Sequence, residues 1–108
     1  MSDFVIKNGV LEKYQGEKAH VDVPAEVTAI GENAFFDCQN LTSITLPEGL
    51  RSIGDKAFHY CCELEEIILP EGLEIIGKNA FHGCGIRRIT LPEGLKSIGD
   101  GAFFGVQG

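Results

Sequence analysis

The chain has 108 residues and a formal net charge of −7, from 9 Lys and Arg against 16 Asp and Glu. That length sets one domain with a modest core, and the acidic balance argues against the basic stripe that DNA, RNA or an anionic membrane surface requires. A hydrophobic content of 44 % argues against disorder, and no apolar run approaches the roughly 18 residues of a membrane span.

The start, Met1-Ser2-Asp3-Phe4, has no basic stretch and no apolar segment of signal-peptide length, so no export signal is expected in this chain. Asn8-Gly9 then sits between two β-prone runs, 4–7 and 10–14, which predicts a hairpin with a type I′ turn. A two-residue loop pairs Ile6 with Leu11 and Phe4 with Lys13, placing Phe4, Ile6 and Leu11 on one face. Residues 1–18 are therefore expected to form a hairpin cap over the open end of the repeat array that begins at residue 19, because an uncapped stack would leave apolar surface and strand edges bare.

From residue 19 onward the chain repeats. Pro24, Pro47, Pro70 and Pro92 stand 23, 23 and 22 residues apart, and Gly31, Gly54, Gly77 and Gly99 keep the same intervals. Ala34-Phe35, Ala57-Phe58, Ala80-Phe81 and Ala102-Phe103 do so as well. A period in the twenties indicates a solenoid in which each repeat is one coil, so residues 19–108 are expected to make about four coils, the last incomplete. In the coil 41–61, Leu41, Ile44 and Leu46 frame a short strand. Pro47-Glu48-Gly49 comes next as a type I turn with Pro in its second position. Leu50 and Ile53 face inward again. Gly54 answers a positive φ or a close backbone approach. Asp55-Lys56-Ala57-Phe58 reads as a single helical turn held by Phe58. Cys61 closes the coil. One coil cannot bury enough surface to fold alone; stacking supplies the rest.

Stacking puts equivalent positions about 4.8 Å apart in outward ladders. On the first strand of each coil these are His20–Ser43–Glu66–Arg88 and Asp22–Thr45–Ile68–Thr90. Ile68 is the apolar exception, and the eight residues are either an interaction face or an ordinary solvated sheet. A second ladder, Thr28–Arg51–Glu74–Lys96, alternates in sign and is read as structural. A third, Phe36–His59–His82–Phe104, is either a contact stripe or a satellite core; the latter is favoured because exposed aromatic lines aggregate.

The pattern Leu-x-x-Ile-x-Leu-Pro-x-x-Leu-x-x-Ile-Gly-x-x-Ala-Phe-x-x-Cys of residues 41–61 resembles the BspA-like, or Treponema pallidum type, leucine-rich repeats. The resemblance covers about residues 19–108, and Phe4-x-Ile6-x-Asn8-Gly9-x-Leu11-x-x-Tyr14-x-Gly16 looks like the hairpin that often begins such arrays. It implies an α/β repeat: a right-handed solenoid of short parallel strands and single helical turns, with the parallel sheet on its concave side. It also implies adhesion and protein interaction, often at the surface of gut or oral bacteria, and it brings no catalytic residues. The chain departs from the pattern after Cys84, where Gly85-Ile86 replaces the three residues Cys62-Glu63-Leu64, and at Val106, where Cys is expected.

Cys38, Cys61 and Cys84 share one repeat position, which a small apolar side chain fits without further purpose. Adjacent coils hold such cysteines too parallel for a relaxed disulfide. His59-x-Cys61 and His82-x-Cys84 put two His-x-Cys units on adjacent coils, a conceivable soft-metal set, but a zinc-finger Cys-x₂-Cys pair is absent, so no metal is expected. Cys62 is expected to be the exposed thiol. No nucleophile elbow, P-loop or His-Glu-x-x-His occurs, and repeated ladders do not converge unlike groups as an active site must. The expectation is a non-enzymatic protein-interaction or adhesion module with no cofactor, no nucleic acid and no membrane insertion. Its partner binds at His20, Asp22, Ser43, Thr45, Glu66, Ile68, Arg88 and Thr90. A structural spacer within a longer array is the alternative, and self-association is expected through the last coil, around Phe103 and Phe104.

Overall fold

The computed structural model describes residues 3–103. Its strands are β1 (Phe4–Lys7), β2 (Val10–Tyr14), β3 (His20–Asp22), β4 (Ala29–Ile30), β5 (Ser43–Thr45), β6 (Ser52–Ile53), β7 (Glu66–Ile68), β8 (Ile75–Ile76), β9 (Arg88–Thr90) and β10 (Ser97–Ile98). They form two sheets. A four-stranded parallel sheet runs β3-β5-β7-β9, and a six-stranded sheet runs β1-β2-β4-β6-β8-β10. Each coil contributes one strand to each sheet, and equivalent residues pair: Val21 with Ile44, Ile44 with Ile67, Ile30 with Ile53, Ile53 with Ile76. This is a parallel-strand solenoid of about four turns.

The period explains the core. Val21, Ile44 and Ile67 on one sheet, Ile30, Ile53 and Ile76 on the other, and Leu50 and Leu73 between them are all buried. Phe35, Phe58 and Phe81 fill the third side and are fully buried. Burial of each such side chain is worth about 1.5–3 kcal/mol, but only a stacked neighbour completes it.

Hairpin pairing differs from expectation by one residue. Ile6 pairs with Leu11 as predicted, but Phe4 pairs with Tyr14 and Val5 with Lys13, the register shifting between Val5 and Ile6. Glu12 is the extra residue of a bulge. Without it Lys13 would share the inward face with Leu11; with it Tyr14 turns inward instead and is buried. β2 then pairs in parallel with β4, Val10 opposite Ala29 and Leu11 opposite Ile30.

The turn after each strand of the four-stranded sheet is also displaced. Its hydrogen bond runs from the Leu50 N–H to the Pro47 carbonyl (3.1 Å), and likewise from Val27 to Pro24, Leu73 to Pro70 and Leu95 to Pro92. Proline is thus the first turn residue, not the second. Gly49, Gly72 and Gly94 do not adopt positive φ.

No helix occurs among the described residues. Where the sequence suggests single helical turns, the chain makes consecutive four-residue turns, with N–H groups of Ala34, Phe36 and Cys38 bonded to the carbonyls of Gly31, Asn33 and Phe35. The alternate N–H groups cross to the next coil: Asn33 to Asp55, Phe35 to Ala57, Asp37 to His59. Left-handed residues at Asn33, Asp37, Lys56, Tyr60 and Asn79 enforce this alternation. A segment this short cannot nucleate a helix, whereas the neighbouring coil offers ready carbonyls.

The regular spacing of Gly54, Gly77 and Gly99 answers close approach, not φ. A Cβ on Gly54 would stand 2.9 Å from the Glu32 nitrogen and the Ile30 carbonyl oxygen. In the shortened coil, Ile86 takes the buried place of Leu64, and Gly85 lies so close to the Cys62 carbonyl that a Cβ would come within 2.5 Å of it.

Candidate functional site

The outward residues of β3, β5, β7 and β9 stand side by side as the ladders require. His20 is opposite Ser43, Ser43 opposite Glu66, and Glu66 opposite Arg88; Asp22 is opposite Thr45 and Ile68 opposite Thr90. All eight candidate residues therefore lie on one sheet face. Strand alternation places them outward while Val21, Ile44 and Ile67 point in.

The first two strands carry a hydrogen-bonded cluster. His20 Nε2 lies 2.9 Å from Asp22 Oδ1, and His20 Nδ1 lies 2.6 Å from Ser43 Oγ. A carboxylate only accepts, so the Nε2–H donates to Asp22 and Nδ1 accepts from the Ser43 hydroxyl. Thr45 Oγ1 is 3.3 Å from the same Nε2. The hydrogen bond from His20, and then that from Thr45, hold the Asp22 carboxyl below its usual range. The side chains of His20 and Asp22 are 49 % and 77 % exposed, so this cluster orders an open face and does not enclose a reaction site.

Further along, Glu66 and Arg88 are in register, but the ion pair beside these two strands forms one residue earlier, from Arg87 Nε to Glu65 Oε1 at 3.5 Å. Ile68 is 75 % exposed, the most open large apolar side chain among those described. It borders a cavity of about 510 Å³ with Thr45, Leu46, Glu48, Pro70 and Glu71. This cavity went unread in the sequence, although laddering the Pro-Glu turns as well as the strands would have drawn attention to Glu48 and Glu71.

The second ladder is structural as expected: Arg51 Nη1 and Lys96 Nζ lie 3.7 and 3.4 Å from Glu74 Oε2. In the third, Phe36 meets His59 with ring centroids 5.2 Å apart, and His59 stacks on His82 at 4.7 Å with 2.7 Å between His59 Nε2 and His82 Nδ1. Tyr60, which the ladder omits, stacks on His59 at 4.0 Å. Phe36 is 44 % exposed and the two histidines are half-buried, so the line is neither a closed core nor a bare stripe. Phe104 and Val106 lie outside the described residues. Burial, then the His82 charge and Lys56, hold the His59 pKa below the ordinary histidine value.

All four cysteines are free thiols. Cys61 Sγ donates to the Phe35 carbonyl and Cys84 Sγ to the Phe58 carbonyl, each at 3.0 Å. The adjacent Cys61 thiol, followed by burial, pushes Cys38 far above the ordinary thiol range. Cys38 pulls Cys61 down, but Cys84 and burial outweigh it and raise Cys61 overall. These thiols point inward while His59 and His82 stack outside, so the four residues do not converge. Among the described residues no group of three or more His, Cys, Asp or Glu is placed to hold a metal ion, and no helix is long and apolar enough to cross a membrane.

Residues 6–107 match the family model of the BspA type leucine rich repeat region, in 6 copies. Among solved structures the chain is similar to a leucine-rich repeat protein from Bacteroides ovatus, with a TM-score of 0.78 and 35 % identity over 91 % of this chain and 28 % of that one. It is similar to the leucine-rich repeat protein of T. pallidum, with a TM-score of 0.70 and 30 % identity over 88 % of this chain and 58 % of that one. A leucine-rich repeat protein from Bacteroides capillosus gives 0.76 and 27 % identity over 94 % and 91 %. The chain thus spans 28 % and 58 % of the length of the first two. No curated protein matches.

Proposed function

Because the chain belongs to the BspA-type leucine-rich repeat family, we propose that it is a non-enzymatic interaction module, of adhesive type, that binds a protein partner on its four-stranded sheet. Ile68 carries this reading. An aliphatic side chain 75 % exposed, on an otherwise polar face and beside a groove, favours binding over solvation. The ordered His20–Asp22–Ser43–Thr45 cluster supports it, since polar groups already fixed by their neighbours lose little entropy when a partner arrives.

The β1–β2 hairpin acts as the N-terminal cap in this reading. Leu11 and Tyr14 cover the first coil, and β2 occupies the edge of β4 that an intruding strand would otherwise pair. The same reading assigns self-association to the coil around Leu91, Ile98 and Phe103, where Leu91 and Ile98 are each 44 % exposed.

Selection of a displayed random-peptide library on the purified chain tests the face assignment. Enriched peptides are expected to lose binding to an Ile68→Asp, Arg88→Glu double variant and to keep it with Arg51→Glu on the other sheet. Enriched peptides that bind both variants equally would overturn the assignment.

A further inference from the structure

Three of the four turns that leave the four-stranded sheet carry a glutamate directly after the proline, Glu48, Glu71 and Glu93, whereas the first has Ala25 there. The same proline-to-leucine hydrogen bond shapes all three turns. They lie on one another: a Cβ on Gly72 would stand 3.6 Å from the Glu48 carbonyl oxygen, and one on Gly94 would stand 3.8 Å from that of Glu71. All three glutamates are exposed. Like charges stacked about 4.8 Å apart repel and weaken the stack.

The neighbouring column resolves the same problem internally, since Arg51 and Lys96 flank Glu74 and pair with it. None of the ion pairs among the described residues involves Glu48, Glu71 or Glu93. Two of these carboxylates wall the cavity that Ile68 and Leu46 line. Arg87 and Arg88 stand at the opposite, N-terminal end of the strands. Glu65 and Glu66 stand beside them and balance their charge, so the face is neutral where these strands begin and acidic, with an apolar floor, where they end.

We propose that this groove takes an extended peptide segment in which Lys or Arg alternates with aliphatic residues. The aliphatic side chains lie over Ile68 and Leu46, and the cations meet Glu48, Glu71 and Glu93. Alternate residues of an extended strand repeat at about 6.8 Å, and the flexible stems of Lys and Arg absorb the difference from the narrower glutamate column. Binding relieves the carboxylate repulsion that the fold leaves in place. The proposal rests on the four-stranded face being the binding surface.

Fluorescence anisotropy with three fluorescein-labelled octapeptides on the whole chain tests it: alternating Lys–Val, alternating Glu–Val and alternating Lys–Ser. The Lys–Val peptide is expected to bind at least about tenfold tighter than either control. A Glu48→Gln, Glu71→Gln, Glu93→Gln variant, which sheds repulsion and so keeps its fold, should weaken it about tenfold and flatten its salt dependence. Ile68→Ser should weaken it while leaving the salt dependence, and Glu74→Gln should change nothing. Equal binding of the Glu–Val peptide, or indifference to the triple variant, overturns the proposal. If no octapeptide binds while the library yields Ile68-dependent peptides of other composition, this proposal falls and the interaction reading stands. A dimer in sedimentation velocity that Ile68→Ser abolishes would assign the groove to a second copy and also overturn it.

Discussion

Phe58 stacks on Phe35 with ring centroids 5.0 Å apart and planes within 6° of parallel. The column continues in both directions, from Tyr14 against Phe35 at 5.3 Å to Phe58 against Phe81 at 5.2 Å and Phe81 against Phe103 at 5.4 Å. It runs from the hairpin to the fourth coil and ties every coil to its neighbours. Removing the central ring leaves a cavity and ends two stacking contacts. Phe58→Ala is expected to cost about 3–5 kcal/mol, read as a lowered midpoint in urea unfolding.

Glycine at position 77 is required by the coil below it. A Cβ there would run into the backbone nitrogen and carboxylate of Asp55 and the carbonyl carbon of Gly54. Backbone cannot swing aside as a side-chain tip can. Gly77→Ala should therefore destabilise by about 1–3 kcal/mol in the same unfolding assay, whereas Gly49→Ala, with open space around it, should be nearly neutral.

Lys56 holds a left-handed backbone, φ 59°, at the place where the other coils have Asn33, Asn79 and Gly101. Lysine tolerates that region poorly and asparagine tolerates it well. Lys56→Asn should raise stability by about 0.5–1 kcal/mol, seen as a higher thermal midpoint.

Stability should also respond to acid through His59, whose pKa is lowered by burial and by the facing His82 and Lys56. The folded state then takes up a proton less readily than the unfolded one. Stability is complete above the unfolded histidine pKa of about 6.5 and declines as pH falls from there through the lower folded value. Urea midpoints at pH 7.5 and 5.0 should show this decline, and His59→Phe should reduce it.

Thiol labelling should separate the cysteines. Cys62 is exposed, whereas Cys61 and Cys84 are buried and donate to backbone carbonyls, and Cys38 is held protonated by Cys61 and burial. Mass spectrometry after brief iodoacetamide treatment at neutral pH should find one modification, on Cys62, and four once urea is added.

The repeat made the registers readable. Once Pro47 and Pro70 are aligned, Ser43 must face Glu66 and Arg51 must face Glu74. What escaped the sequence depends on local competition. The bulge at Glu12 exists because Tyr14 gains more from the aromatic column than Lys13 would from the interior. The helical turn at Asp55–Phe58 loses to hydrogen bonds with the next coil. The contacts of His20 with Asp22 and Ser43 depend on side-chain rotamers that period alone does not specify, and the Ile68 groove depends on how the Pro47 and Pro70 turns rise beside the strands.

The central claim, that partners bind on the four-stranded sheet, is tested most directly by amide chemical shifts of the isotopically labelled chain titrated with a library-selected peptide. The account predicts shifts concentrated at Ser43, Thr45, Glu66, Ile68, Arg88 and Thr90, with Arg51, Glu74 and Lys96 unmoved. Shifts concentrated on the six-stranded sheet, with Ile68 silent, would contradict it.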